Sequence, residues 1–162
     1  MAVGVSEKRV DAFDKVTGRA KYTDDLAEKN FYVAKVFRST VANGVVKSID
    51  TSEAEKIPGV VKIITCFDVP QYKFPTAGHP WSTDKTHQDV ADRLLLTSRV
   101  RYYGDDVAAV IAEDEVSANR ALRAIKAEYE EYPFVLDQVG AMKDGAPQIH
   151  EEYKNNILNH TT

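Results

Sequence analysis

Apolar and polar positions along the chain change rhythm several times, and each change marks an element. Residues 31–38 read Phe-Tyr-Val-Ala-Lys-Val-Phe-Arg, a run of aromatic and β-branched residues that predicts a strand. Asn43-Gly44 follows as a turn before Val45-Val46-Lys47-Ser48-Ile49, and that dipeptide predicts a hairpin. Asp50, with Glu53 three residues on, has the spacing of a capping box. A short helix is therefore expected, stopped by Pro58-Gly59, with a strand over Val60-Val61-Lys62-Ile63-Ile64.

Periodicity then disappears from 69 to 92, where four prolines and glycines punctuate a long loop. It returns as extended structure at Leu94-Leu95-Leu96 and Val100-Arg101-Tyr102-Tyr103. Gly104-Asp105 turns the chain into an unbroken apolar run over 106–112, the pattern of a strand covered on both faces. The clearest helix comes next. Asp114 and Glu115 suit its positive end, Arg123 and Lys126 its negative end, and Ala118, Ala121, Leu122 and Ile125 share one face. Residues 127–130 alternate like a half-buried strand closed by Pro133, and one helical turn is expected past Asp137. The pattern predicts an α+β fold with mixed short strands and two packed helices.

Composition narrows the function classes. The 162 residues are 43% hydrophobic and 28% charged, the balance of a globular domain with room for one core. A net charge of −4 without any basic stripe disfavours nucleic acid as a partner. No apolar run approaches the roughly 20 residues that cross a bilayer, and the N-terminus has no signal-like apolar core. Cys66 is the single cysteine, so no internal disulfide forms; it follows Ile63-Ile64 and reads as a small core residue. Together these features predict a cytoplasmic location without a membrane partner.

Candidate chemistry is sparse. His79, His87, His150 and His160 are too dispersed for a local ligand motif, and the zinc spacings of paired cysteines or histidines are missing. The acidic pairs Asp24-Asp25, Asp105-Asp106, Glu130-Glu131 and Glu151-Glu152 read as solvated charge, with Asp105-Asp106 serving the turn after Gly104. No nucleophile elbow or phosphate cradle occurs. The residues that stand out are Phe74, His79 and Trp81. A solvated loop has no need of such side chains, so they are expected to line a substrate approach or a subunit interface.

The segment Asp14-Lys15-Val16-Thr17-Gly18-Arg19-Ala20-Lys21-Tyr22-Thr23-Asp24-Asp25 resembles the opening of the molybdenum-binding subunit in the xanthine dehydrogenase and aldehyde oxidase family. Phe37-Arg38-Ser39 with Ala42, Ile57-Pro58-Gly59-Val60, Asp68-Val69-Pro70 and Gly104-Asp105 continue the resemblance. So do Tyr129-Glu130, Pro147-Gln148-Ile149-His150 and Asn156-Ile157-Leu158. Thr40 and Asn43 depart from it, standing where the family commonly has proline and histidine. Phe74-Pro75-Thr76-Ala77-Gly78-His79 is similar to the bacterial xanthine dehydrogenase branch.

The resemblance implies an α/β-hammerhead domain over 31–144, after an N-terminal signature segment over 1–30. It implies a linker over 145–162 toward a molybdopterin-binding region outside the chain, whose polar, uncapped tail reads as cut. The implied whole is a molybdenum hydroxylase of purine metabolism. It would oxidise xanthine or hypoxanthine with water-derived oxygen and pass electrons through iron–sulfur clusters and FAD to NAD. The molybdenum–pterin, iron–sulfur and FAD groups would belong to the rest of the molybdenum-binding subunit and to neighbouring subunits or domains. This chain would hold no cofactor, metal ligand or catalytic residue and would act as a structural and interface domain. The alternatives are a family member acting on aldehydes, nicotinate or aromatic thioesters, and a stand-alone binding module.

Overall fold

The computed structural model of the chain describes residues 3–4, 6–26, 31–75 and 91–158. The chain divides into two compact units, Met1–Phe31 and Tyr32–Thr162. The first holds helix α1 (Ala12–Val16) and a 3-10 turn over Thr23–Leu26, neither with a buried residue. Arg9 and Lys15 both pair with Asp11, at 2.9 and 2.6 Å, and Phe13 and Val16 point to solvent.

The second unit holds two three-stranded antiparallel sheets. Its strands are β1 (Val33–Arg38), β2 (Gly44–Asp50), β3 (Val60–Thr65), β4 (Arg99–Val100), β5 (Asp106–Ala112) and β6 (Lys126–Glu131). One sheet has the order β1-β5-β3 and the other β4-β2-β6. Helix α2 (Glu115–Ala124) packs on the first sheet, and a short helix α3 (Gln138–Ala141) follows β6. The α+β class with short mixed strands is as the sequence predicts.

Strand β5 is central because its side chains are apolar on both faces, so each face can be covered. Val110 and Ala112 join Ala54, Ile63, Ala118, Ala121 and Ile125 in the core beneath α2. Val107 points the other way, into a second core with Val41, Val46, Cys66, Leu96 and Val100. Two alanines on the inner face of α2, both fully buried, bring the helix close to the sheet. Asp114 caps that helix: its carboxylate accepts from the Ser117 amide and hydroxyl, both at 2.8 Å. Asp137 does the same for α3, accepting from the Gly140 amide at 2.6 Å.

Four expectations fail for identifiable reasons. Asn43-Gly44 does not make a hairpin, since β1 pairs with β5 while β2 pairs with β4 and β6. A type I′ turn needs positive φ at both positions, and neither residue has it. Asn43 is instead a buried hub, with Arg99 Nη1 donating to its Oδ1 and its own Nδ2 donating to the Pro133 carbonyl, both at 2.6 Å.

The helix expected after Asp50 is only a run of turns. Asp50 is still paired in β2, and its carboxylate accepts from the Ser52 amide at 3.0 Å, closing a local turn. Glu53 turns to Lys56 rather than back to Asp50, so the capping box does not close. The extended run over 94–96 forms no strand, and that over 100–103 is reduced to the end of β4, because only Arg99 and Val100 find ladder partners on β2. Lys126 likewise begins β6 rather than ending α2.

Candidate functional site

Of the three residues singled out in the sequence, the structure describes Phe74; His79 and Trp81 lie outside the described residues. Phe74 forms an isolated antiparallel bridge with Arg93. The Phe74 amide donates to the Arg93 carbonyl at 2.9 Å, and the Arg93 amide donates back at 3.1 Å. Phe74 as a residue is 44% exposed, so it is available for contact while its backbone is anchored.

One stem of the loop, at residues 92–93, borders a crevice the sequence did not reveal. A cavity of about 120 Å³ is lined by Asp92, Arg93, Arg101, Tyr102, Asp105 and His150, among others. A second, of about 90 Å³, shares Asp92 and His150 and reaches Tyr153 and Asn156. Three charges in the larger cavity have hydrogen-bond partners. Arg93 donates to the Tyr102 hydroxyl at 2.5 Å, and its guanidinium lies 4.8 Å from that ring's centre. Asp105 is buried, and its two oxygens accept from the Arg101 and Asp106 amides at 3.1 Å, the turn-forming role expected of it. Arg101 Nε donates to the Ile149 carbonyl at 3.1 Å.

His150 Nε2 faces Asp92 at 3.9 Å. Burial in the crevice, and then the positive charge of Arg101, lower its pKa from 6.5, against the opposing pull of Asp92 and Glu152. The imidazole is thus held toward its neutral form. It is the one described histidine, and its environment could not be read from the sequence because Asp92 and Arg101 are about 50 residues distant.

Cys66 sits in the second core, as expected, and burial pushes its thiol up to about 11. It is no nucleophile at neutral pH. The Tyr129 hydroxyl is buried nearby without a hydrogen-bond partner among the described residues. Burial raises its pKa. Some members of the acidic pairs serve ion pairs: Glu130 binds Lys47, Glu151 lies 3.7 Å from Arg99, and Glu152 lies 3.3 Å from Lys73. Among the described residues no three His, Cys, Asp or Glu side chains converge as metal ligands, and no helix is long and apolar enough to cross a membrane. The crevice can hold solvent and tie segments together, but it brings together no nucleophile–base pair.

Comparison with known proteins supplies what the crevice does not. The family described as aldehyde oxidase and xanthine dehydrogenase, a/b hammerhead domain, matches residues 17–133. The xanthine dehydrogenase molybdenum-binding subunit of Escherichia coli O157:H7 is 44% identical over 95% of this chain and 20% of its own length. The carbon monoxide dehydrogenase large chain of Afipia carboxidovorans is 30% identical over 96% of this chain and 18% of its own. The chain therefore spans about a fifth of the length of the relatives it matches. Among solved structures, the aldehyde oxidoreductase of Desulfovibrio desulfuricans superposes with a TM-score of 0.77 at 34% identity, covering 91% of this chain and 17% of that one. The hammerhead arrangement expected from the resemblance is borne out.

Proposed function

The chain belongs to the aldehyde oxidase and xanthine dehydrogenase hammerhead family, and from that premise we propose that it is the structural and interface domain of a xanthine-oxidising molybdenum hydroxylase. The observation that carries the substrate choice is the gradient of identity. The xanthine dehydrogenase subunit stands at 44%, against 30% for the carbon monoxide dehydrogenase large chain over the same extent. On this reading the intact enzyme hydroxylates xanthine or hypoxanthine and passes electrons through iron–sulfur and flavin groups to NAD. Those groups and the molybdenum–pterin belong to regions and subunits outside this chain.

The chain's own contribution is then contact. Phe134, Leu136, Val139 and Met142 stand exposed in one short stretch, Leu136 by 88%. Clustered exposure of this kind marks surface meant to be covered. Residues 145–162 act as the linker out of the domain, and Phe74, His79 and Trp81 meet the substrate approach or a neighbouring subunit.

The experiment is turnover by the complete complex containing this chain, with xanthine and hypoxanthine set against an aldehyde, nicotinate and an aromatic thioester. A purine kcat/KM at least a hundredfold above the others is expected. Preference for any of the others would replace the purine reading. Absence of any associated molybdenum subunit would leave a stand-alone module.

A further inference from the structure

Four consecutive residues near the end of the chain each hold a different partner. The Ile149 carbonyl accepts from Arg101 Nε at 3.1 Å, and His150 faces Asp92 at 3.9 Å. Glu151 lies 3.7 Å from Arg99, and Glu152 pairs with Lys73 at 3.3 Å. Lys73 and Asp92 are the residues immediately before Phe74 and Arg93, the pair that closes the loop stems. One short segment therefore pairs with the Lys73 stem, lies against Asp92 of the other stem, and ties itself to β4 and the residue after it.

That segment is internally braced. Gln148 Nε2 lies 3.0 Å from the carbonyls of His150, Glu151 and Tyr153. Asn156 accepts from the Ile149 amide at 2.7 Å and donates to the carbonyls of Ala141 and Pro147 at 2.9 and 3.0 Å. Side chains that bond several carbonyls of one segment make it move as a piece. Between it and the Asp92–Arg93 stem lie the two cavities of about 120 and 90 Å³, and the Lys73 stem is met through an exposed ion pair, so the joint is made of polar ties rather than close apolar packing. A joint of that kind can shift without unpacking a core.

We propose that residues 149–152 form a clasp that sets the pairing of the Phe74 and Arg93 stems and transmits displacement of the C-terminal segment to them. This inference is independent of which substrate the intact enzyme takes. The stems need no ligand to respond; they follow the segment that holds them.

The test is amide hydrogen exchange on the 162-residue chain. Lys73→Glu and Glu152→Lys, each alone, should raise exchange at the Phe74 and Arg93 amides three- to tenfold. The double variant, which restores an opposite-charge pair, should return to within twofold of the parent. Asn156→Gly removes the internal brace without touching either stem by a hydrogen bond, and glycine tolerates the positive φ of 55° at that position. It should also raise stem exchange at least threefold, while Val107 and Val110 in β5 stay unchanged. Unchanged stem exchange in Asn156→Gly, no recovery in the charge-swapped double variant, or equal acceleration in β5 would each overturn the clasp.

Discussion

The α-carbon of Gly44 lies so close to Glu130 that a Cβ built on it would run into the Glu130 main-chain carbonyl. Gly44 is the first residue of β2 and pairs with Glu131 of β6 on one side and Val100 of β4 on the other. Its φ is not positive, so the glycine is required by space rather than by backbone conformation.

Gly44→Ala is therefore expected to cost about 3 kcal/mol, the upper end of ordinary overpacking, because the obstruction is backbone and cannot rotate aside. A melt should show Tm lower by roughly 6–12 °C for a domain of this size. An unchanged Tm would mean that β2 and β6 can separate at this point without loss. Gly104→Ala makes a control of a different kind, since nothing surrounds its Cβ position and only its φ of 95° is strained.

Cys66 gives a second readout. With the thiol pushed up to about 11 from 9.0, its thiolate fraction at pH 8 falls about a hundredfold. Because it is the single cysteine, labelling by a disulfide reagent reports this site alone. Labelling should be slow under native conditions and rise steeply through the unfolding transition, tracking opening of the second core. Rapid labelling of the folded chain would place the thiol at the surface.

The parts of this fold that were legible are those fixed by neighbouring residues. Strand β5 showed as an unbroken apolar run, α2 as a capped amphipathic stretch, and α3 as a turn begun by Asp137. What depended on distant partners was not legible. Asn43-Gly44 carries a strong local turn signal, yet Asn43 is claimed by Arg99 and Pro133, and Gly44 by the approach of β6. The crevice was invisible for the same reason. Glu152 read as solvated charge and nothing local marked Lys73, Asp92 or Arg101, since only folding sets them around one segment. Phe74 showed because an aromatic ring in an irregular loop is conspicuous without any partner.

That ring has its own test. Its stem is held by main-chain bonds to Arg93, which survive truncation of the side chain. Phe74→Ala should therefore leave the domain's Tm nearly unchanged, while in the intact enzyme proposed for this chain KM rises, or subunit association weakens, about tenfold. That is the effect of losing roughly 1.5 kcal/mol of aromatic contact. Trp81→Ala should act the same way. Unchanged kinetics and unchanged association in both variants would remove the loop from the substrate approach and from the interface.

His150 supplies the pH dependence. Its pKa is lowered in the folded chain, first by burial and then by Arg101, with Lys73 adding to the effect and Asp92 and Glu152 opposing it. A histidine lowered below 6.5 binds its proton more weakly folded than unfolded, so the unfolded state takes up more protons between the two values. The stability tied to neutral His150 is then fully present above pH 6.5 and is lost as pH falls through the lowered value. Melts recorded from pH 7.5 to 5.0 should show Tm falling on the acid side, and His150→Gln should flatten that slope by keeping a neutral polar group in the crevice. Titration of the imidazole by NMR should give a midpoint below 6.5. A midpoint above 6.5 would mean that Asp92 and Glu152 outweigh burial and Arg101, and the slope would then reverse, with acid tightening the segment instead of loosening it.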